Sequence, residues 1–482
     1  MPLILGGSSA TATYTVDNSC RFNRADSAYL QRTVGTPTNA QKYTYSFWIK
    51  RCALLDGGSE AFLLDGYADA SNRAKIAFRA DRLFEIWNKD AGSNTFSLSP
   101  PREFSDVSGW YHIVLSVDTT QATDTNRVKL YVNGVQETSL GSTTYPSQDD
   151  ANNTINESGT TFSIMAYGGN ASSDDYRLDS YMSEICFIDG TQYAASDFGE
   201  FSEDSPTIWM PKDVSGLTFG DNGFYLDFED SADLGADASG NSNDFTATNL
   251  DATDQATDTP TNNFATFNPL DNYYMGGTFS QGNTYWVTGS SEYAGQPATV
   301  GLAAGKWYWE VKVVADTSGD SEIIGIMSEE PTANGDQLGS KATDYGYYAN
   351  DGDVDNNGSG TTYGDTYTVG DIIGVALDLT NNKIYWSKNS VWQDSGDPTS
   401  GATGTGAVSI TAPASTPLGF YFPAFGYVDS ANTATFGVNF GGSSGFTISS
   451  GNADGNGYGN FEYAPPSGYL ALCTKNLGSD GG

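Results

Sequence analysis

The sequence holds one histidine, His112, four cysteines, and only 22 lysines and arginines against 59 aspartates and glutamates, a net charge of -37. Each shortage removes a class of chemistry. One imidazole cannot pair with a second to bind a metal or share acid–base work. A serine nucleophile would have only His112 as its base, and no Gly-x-Ser-x-Gly elbow stands between a strand and a helix. His112 lies mid-strand in WYHIVLSV and reads as a structural side chain. Cys20, Cys52, Cys186 and Cys473 are too scattered for zinc spacing. Cations are scarcest late: every arginine lies at or before Arg177, and seven lysines follow it. Affinity for phosphate comes mainly from lysine and arginine displacing counterions, so neither nucleic acid nor an anionic membrane is an expected partner. The acidity reads as solubility in a screening, salty medium rather than as a site for a cationic partner. No apolar run approaches the ~18 residues that cross a bilayer. The opening Met-Pro-Leu-Ile-Leu-Gly-Gly has no basic flank and is not expected to act as a secretory signal.

What is present is a strand-and-turn texture. Hydrophobic residues make up 38%, enough for real cores, aromatics make up 13%, and 56 glycines with abundant Asn, Asp, Ser and Thr interrupt the apolar runs. Residues 43–50 (YTYSFWIK), 74–79, 83–87, 110–117, 128–132, 161–165 and 182–189 alternate or run apolar as strands do. Asn133-Gly134 directly after the fifth of these is a tight-hairpin signal, because both turn positions need positive φ. A second set follows at 306–313 (KWYWEVKV), 323–326, 370–379, 383–387, 421–425 and 434–441. Between the sets, residues 201–262 are acidic, small and poor in large apolar side chains. They read as a connector over the surface, with one strand at 223–228. The organisation expected is an arm at 1–17, a module at 18–200, the connector at 201–262 and a second module at 263–482, in an all-β, antiparallel, two-sandwich (jelly-roll) chain.

The order CRFNRADSAYL, YTYSFWIKR, GWYHIVLSVD, NRVKLYVNGVQ, YRLDSYMSEICFIDG resembles the laminin-G-like, concanavalin A-like family over nearly all of the first module. GKWYWEVKV, IIGIMS, VGDIIGVALDLTNNKIYWSKN, FPAFGY and FGVNFGG resemble the SPRY family, the more specific of the two signals. The tail FEYAPPSGYLALCTKNL matches the way such modules end in many tailed-bacteriophage proteins. Cys20 and Cys186 fall in candidate first and last strands of the first module, which often neighbour each other in such sandwiches; a disulfide and two buried free thiols both fit.

Concanavalin A-like folds host glycosidases, which need two carboxyls about 5–10 Å apart. The laminarinase-like strand pattern Glu-x-Asp-x-x-Glu is absent from SEICFIDG and YLDFEDSAD, and Glu310 in WYWEVKV reads as a lone acid facing solvent or a lysine. No enzyme is expected; polysaccharide degradation ranks third among the readings. Asp351, Asp353 and Asp355 in DGDVDNNG alternate as oxygen ligands for calcium would, although Thr362 stands where an EF-hand glutamate belongs and the segment reads equally as a hairpin. Asp227, Asp230, Asp233 and Asp237 are a weaker candidate set. Ligand-stacking candidates are Trp87, Tyr167 and Tyr176 in the first module and Tyr345, Tyr347, Tyr348 and Trp392 in the second.

The pairing of modules implies, by resemblance, a virion structural protein of a tailed bacteriophage. It would be assembled in the host cytoplasm, multicopy or homo-oligomeric on a tail, baseplate or capsid fibre, and in contact with other virion proteins. Its modules would bind a host-surface glycan or protein multivalently. A purely architectural head-fibre, tail or baseplate role is the alternative.

Overall fold

The computed structural model describes residues 14–480 except 56–59, 172, 174, 175, 204, 273, 275, 291–294, 318, 334 and 430. Most of the expected N-terminal arm therefore lies outside the described residues. The chain divides into two units at Thr261/Asn262.

In the N-terminal unit two antiparallel sheets face one another. One runs in the order Val135–Gln136, Val128–Val132, Trp110–Asp118, Lys42–Arg51, Ser180–Asp189, Ser19–Phe22, Gln255–Ala256, with Phe224–Leu226 also paired to Ser180–Asp189. The other runs Thr246–Thr248, Tyr29–Thr33, Thr161–Ile164, Glu60–Tyr67, Arg73–Arg79, Phe84–Asp90, Ser93–Leu98. Period-2 alternation decides what lies between them: Tyr43, Tyr45, Phe47 and Ile49 from one sheet meet Ala74, Ile76, Phe78, Phe84 and Ile86 from the other. The Asn133-Gly134 turn takes φ of 48° and 76°, as its sequence requires.

Residues 201–261 are not a connector. Phe224, Leu226, Phe228, Leu234 and Phe245 all enter the core of the N-terminal unit. Three short strands of the segment extend its sheets, against Ile185–Phe187, Tyr29–Gln31 and Ser19–Cys20. Val214, Phe219 and Tyr225, with the ring of Trp209 half-buried beside them, cover the outer face of the eight-stranded sheet over Val114, Cys186 and Ile188. The acidity misled because the carboxylates serve turns. Asp227, Asp230 and Asp233 each accept the amide two residues on, from Glu229, Ala232 and Gly235 at 2.9–3.0 Å. Asp237 accepts from Tyr225 and Ser239. In this structure all four, considered as a weaker metal set, serve turns.

The two thiols settle the disulfide question. Cys20 faces the inter-sheet core and Cys186 the outer cluster, on opposite faces of one sheet, and both are free.

The C-terminal unit repeats the arrangement. A nine-stranded sheet is ordered Thr278–Ser280, Tyr285–Val287, Ala434–Asn439, Lys306–Asp316, Ile372–Asp378, Lys383–Lys388, Val391–Trp392, with Val408–Ser409 and Leu470–Ala471 branching from it. A six-stranded sheet is ordered Gln296–Pro297, Phe422–Tyr427, Glu322–Met327, Tyr345–Tyr348, Asp353–Asn356, Ser359–Thr362. Leu470–Ala471 pairs parallel to Trp307–Tyr308, an exception to the antiparallel rule here. Trp307, Trp309, Val311 and Val313 point into the shared core with Trp286 and Trp386. Glu310 faces neither solvent nor a lysine. It is fully buried on the other side of its strand and accepts amides from Glu462 and Tyr463 at 2.9 and 2.7 Å, pinning the C-terminal segment to the sheet.

One contact tests the corrected boundary. Lys50 and Asp258 form an ion pair at 2.7 Å with both side chains 1% exposed, and Trp110 Nε1 also donates to Asp258 at 3.1 Å. Asp258→Ala removes the carboxylate paired with a buried ammonium and should cost about 3–5 kcal/mol. Chemical denaturation of the full chain should show this in the N-terminal unit's transition, whereas a true connector would tolerate the change.

Candidate functional site

In Arg73–Arg79 the residues Ala74, Ile76 and Phe78 face the core, so Arg73 and Lys75 project from the outer face of the seven-stranded sheet. Phe84 and Ile86 turn inward on the next strand and Trp87 outward. A bulge between Phe62 and Leu64 lets Phe62 leave the core side, and Asp65 and Tyr67 follow it outward. The segment after Ile164 then crosses this face, tethered where the Gly168 amide donates to Asp65 at 2.8 Å.

The result is a patch of interleaved rings and cations. The Arg73 guanidinium lies 4.3 Å from the Tyr167 centroid, 5.2 Å from Trp87 and 5.4 Å from Phe62. Lys75 and Lys89 approach Trp87 at 5.1 and 4.7 Å. Tyr176 stacks on Phe62 at 4.7 Å and meets Tyr167 edge-on at 5.3 Å. Trp87, Tyr167 and Tyr176 thus come together, each half-buried. Charges are largely matched within the patch: Arg73 with Asp65 at 2.9 Å, Lys75 with Glu60 and Glu85 at 2.5 and 2.8 Å. Burial pushes the Asp65 carboxyl up to about 6, against the pull of Arg73. Such a face can stack a flat ligand on aromatic surface stiffened by cation–π contacts. Sequence reading passed over Arg73, Lys75 and Phe62, although the RAKIAFR alternation placed both cations opposite the core.

In the second unit the candidate tyrosines divide. Tyr347 is fully buried against Tyr363, Tyr367 and Trp386 at 5.1–6.0 Å, and Tyr345 is 6% exposed in the same core. Both lie on a central strand rather than a loop, which removes them from any ligand-facing role. Tyr348, on the strand's other face, and Trp392 stay half-buried. Trp392 sits beside Val391, which is 67% exposed. The turn carrying Val391 is tied to the 366–372 loop through Lys388 Nζ to the Thr366 carbonyl and Asn389 Nδ2 to Asp371, at 2.7 and 2.6 Å. Val369 in that loop is 47% exposed, so one rim displays two valines and part of an indole.

Asp353–Asn356 and Ser359–Thr362 form a hairpin through Asn357-Gly358, with φ of 51° and 69°. Asp351 accepts the Asp353 amide, the usual turn bond. Among the described residues, the acids that do converge are Asp316, Asp320 and Glu322, with oxygens within 4.8 Å of one another.

His112 accepts the indole N–H of Trp209 on Nδ1 at 2.9 Å and contacts Ser46 Oγ through Nε2 at 2.8 Å. An Nδ1 that accepts leaves the proton on Nε2, so the imidazole donates to Ser46 and cannot take its proton. Burial holds the ring's pKa down to about 3. Glu184, at a bulge with φ of 51°, receives the Tyr225 hydroxyl at 2.8 Å and that of Tyr14 at 3.3 Å. Burial pushes its carboxyl up to about 8.

Residues 24–195 match the model of the concanavalin A-like lectin/glucanases superfamily, and residues 306–439 match that of the SPRY domain. The chain carries a concanavalin A-like domain followed by a SPRY domain. Human Ran-binding protein 9 is 37% identical over 89 residues, 18% of this chain and 12% of the relative. The Drosophila melanogaster Ran-binding proteins 9/10 homolog is 33% identical over 91 residues, 18% of this chain and 9% of the relative. The chain thus spans a small fraction of the curated relatives it matches. The solved SPRY domain of human HERC1 is similar at 18% identity and a TM-score of 0.28, covering 36% of this chain and 96% of that one. These relatives overturn the bacteriophage expectation. Virion function, virion partners, host-surface adhesion and a particle location all rested on a resemblance in module pairing and tail, while the curated relatives are Ran-binding proteins of animals. No helix among the described residues is long and apolar enough to cross a membrane.

Two outcomes follow from the titrating groups. The single imidazole should keep its neutral, Nε2-protonated ¹⁵N signature down to about pH 3, or until the unit unfolds. Glu184 holds a proton in the folded state across the window from 4.5 to about 8, so its stabilisation is present at low pH and lost as pH rises through about 8. Melting temperature should fall from pH 5 to 8.5 more steeply in the native chain than in Glu184→Gln.

Proposed function

We propose that this chain is a non-enzymatic protein-interaction protein that engages a protein partner through its SPRY domain. The observation that carries the reading is the stretch 33–37% identical to Ran-binding proteins, whose names state that they bind Ran. The exposed rim of Val369, Val391 and Trp392 supplies the apolar contact such binding uses, since a few desolvated anchors carry most interface energy. The non-catalytic part of the reading is supported by the tautomer of His112, which denies Ser46 a base.

Calorimetry of the full chain against purified Ran, alongside a peptide array and a glycan array, tests the proposal. Saturable binding to Ran or to peptides is expected, weakened about tenfold or more by Val391→Asp, the loss of roughly 1.4 kcal/mol typical of one interface anchor. Binding confined to glycans, or release of reducing ends from polysaccharide, would sink it.

A further inference from the structure

The strand Lys306–Asp316 belongs to one sheet of the SPRY domain and Glu322–Met327 to the other, so the chain passes between the two layers from Asp316 to Glu322. Asp316, Asp320 and Glu322 meet at this crossing. Two of them are held in place by the fold. Asp316 accepts the Tyr427 hydroxyl at 2.6 Å and the Asp320 amide at 2.5 Å. Asp320 itself sits at φ 63°, and a carboxylate oxygen of it lies within 4.8 Å of the other two.

Glu322 is the anomaly. It is 0% exposed, and neither carboxylate oxygen has a hydrogen-bond partner. Its backbone is well fixed, because its carbonyl accepts the Tyr367 hydroxyl at 3.0 Å and the Ala349 amide at 2.9 Å. The side chain therefore points at the two aspartates by construction, with an oxygen within 4.8 Å of theirs. No ion pair among the described residues joins Asp320 or Glu322 to a cation. A buried carboxylate without donors or a counter-charge is costly, and the buried Glu310 of the same domain shows the ordinary remedy of donated amides.

We infer that Asp316, Asp320 and Glu322 form a binding site for a hard divalent cation, with calcium the best match, at the crossing between the two SPRY sheets. The donor set is oxygen only, without histidine or cysteine, which selects calcium or magnesium over zinc and copper. Three carboxylates, two at strand ends and one between them, with the aspartates partly exposed so that waters can enter, suit the flexible coordination of calcium better than a strict octahedron. The bound ion would clamp the layer-to-layer turn.

Calcium chloride added to the full chain, up to ~10 mM to cover the weakest natural sites, tests this by calorimetry and thermal melting. Binding with a rise of roughly 3–8 °C in the SPRY transition is expected. The response should weaken at least tenfold in Asp320→Asn, a half-exposed turn position that should fold normally, and in Glu322→Gln, and persist in Asp353→Asn. Terbium should give tyrosine-sensitised emission that calcium displaces, because Tyr427 donates to one of the ligands. No heat and no melting shift, or an unchanged response in Asp320→Asn, or loss in Asp353→Asn alone, would overturn the site and leave a carboxyl pair sharing a proton.

Discussion

Asp189 accepts the amides of Thr38 and Asn222 at 2.6 and 3.1 Å and the side-chain amide of Asn156 at 2.7 Å, joining three distant segments of the N-terminal unit. Glu310 does the same for the C-terminal unit by holding residues 462 and 463. The amide donated to a carboxylate is the interaction on which the rest depends. A chain with 59 acids and 22 lysines and arginines cannot neutralise its carboxylates with cations, so backbone N–H groups satisfy them instead. Turns, sheet extensions and the docking of the last segment follow from that constraint. Glu322 stands out because it escapes the rule.

The same scarcity shapes the surface. Where arginine and lysine do gather, on the outer face around Trp87, they are locked between acids and rings rather than offered to a phosphate backbone. The resulting patch is stiff and stacking-competent. The SPRY rim is its counterpart without charge, two valines and an indole edge held by hydrogen bonds beneath. Binding needs surfaces of this kind; acid–base chemistry needs a titrating group near neutrality with access to substrate. His112, buried and neutral, offers none.

Much of the fold was legible because a strand writes its two faces in alternate residues. YTYSFWIK, KWYWEVKV and residues 74–79 each announced a core-facing set by alternation, and the structure places those sets between the sheets, while most of the opposite faces are covered as well. The reading failed where acidity was taken for exposure. In 201–261 five large apolar residues outweigh the acids between them, since a turn carboxylate bonded to its own backbone does not hold the segment in solvent. It failed again at Tyr345 and Tyr347, where aromatics offered as ligand-stacking candidates prove to be core-strand residues.

Residue type and local period alone thus determined the all-β class, the tight Asn-Gly turns and the absence of imidazole pairs, and the two sandwich families were legible as resemblances of ordered motifs. Tertiary structure decided what meets across the sheets: that Trp87, Tyr167 and Tyr176 share one face, that Asp258 neutralises Lys50, that Cys20 and Cys186 face opposite ways, and that Asp316, Asp320 and Glu322 converge. The reason is the range of the interactions. Alternation and turn geometry act between neighbours in the chain, whereas strand order and register pair residues hundreds of positions apart, and one chain's local pattern is compatible with many such pairings.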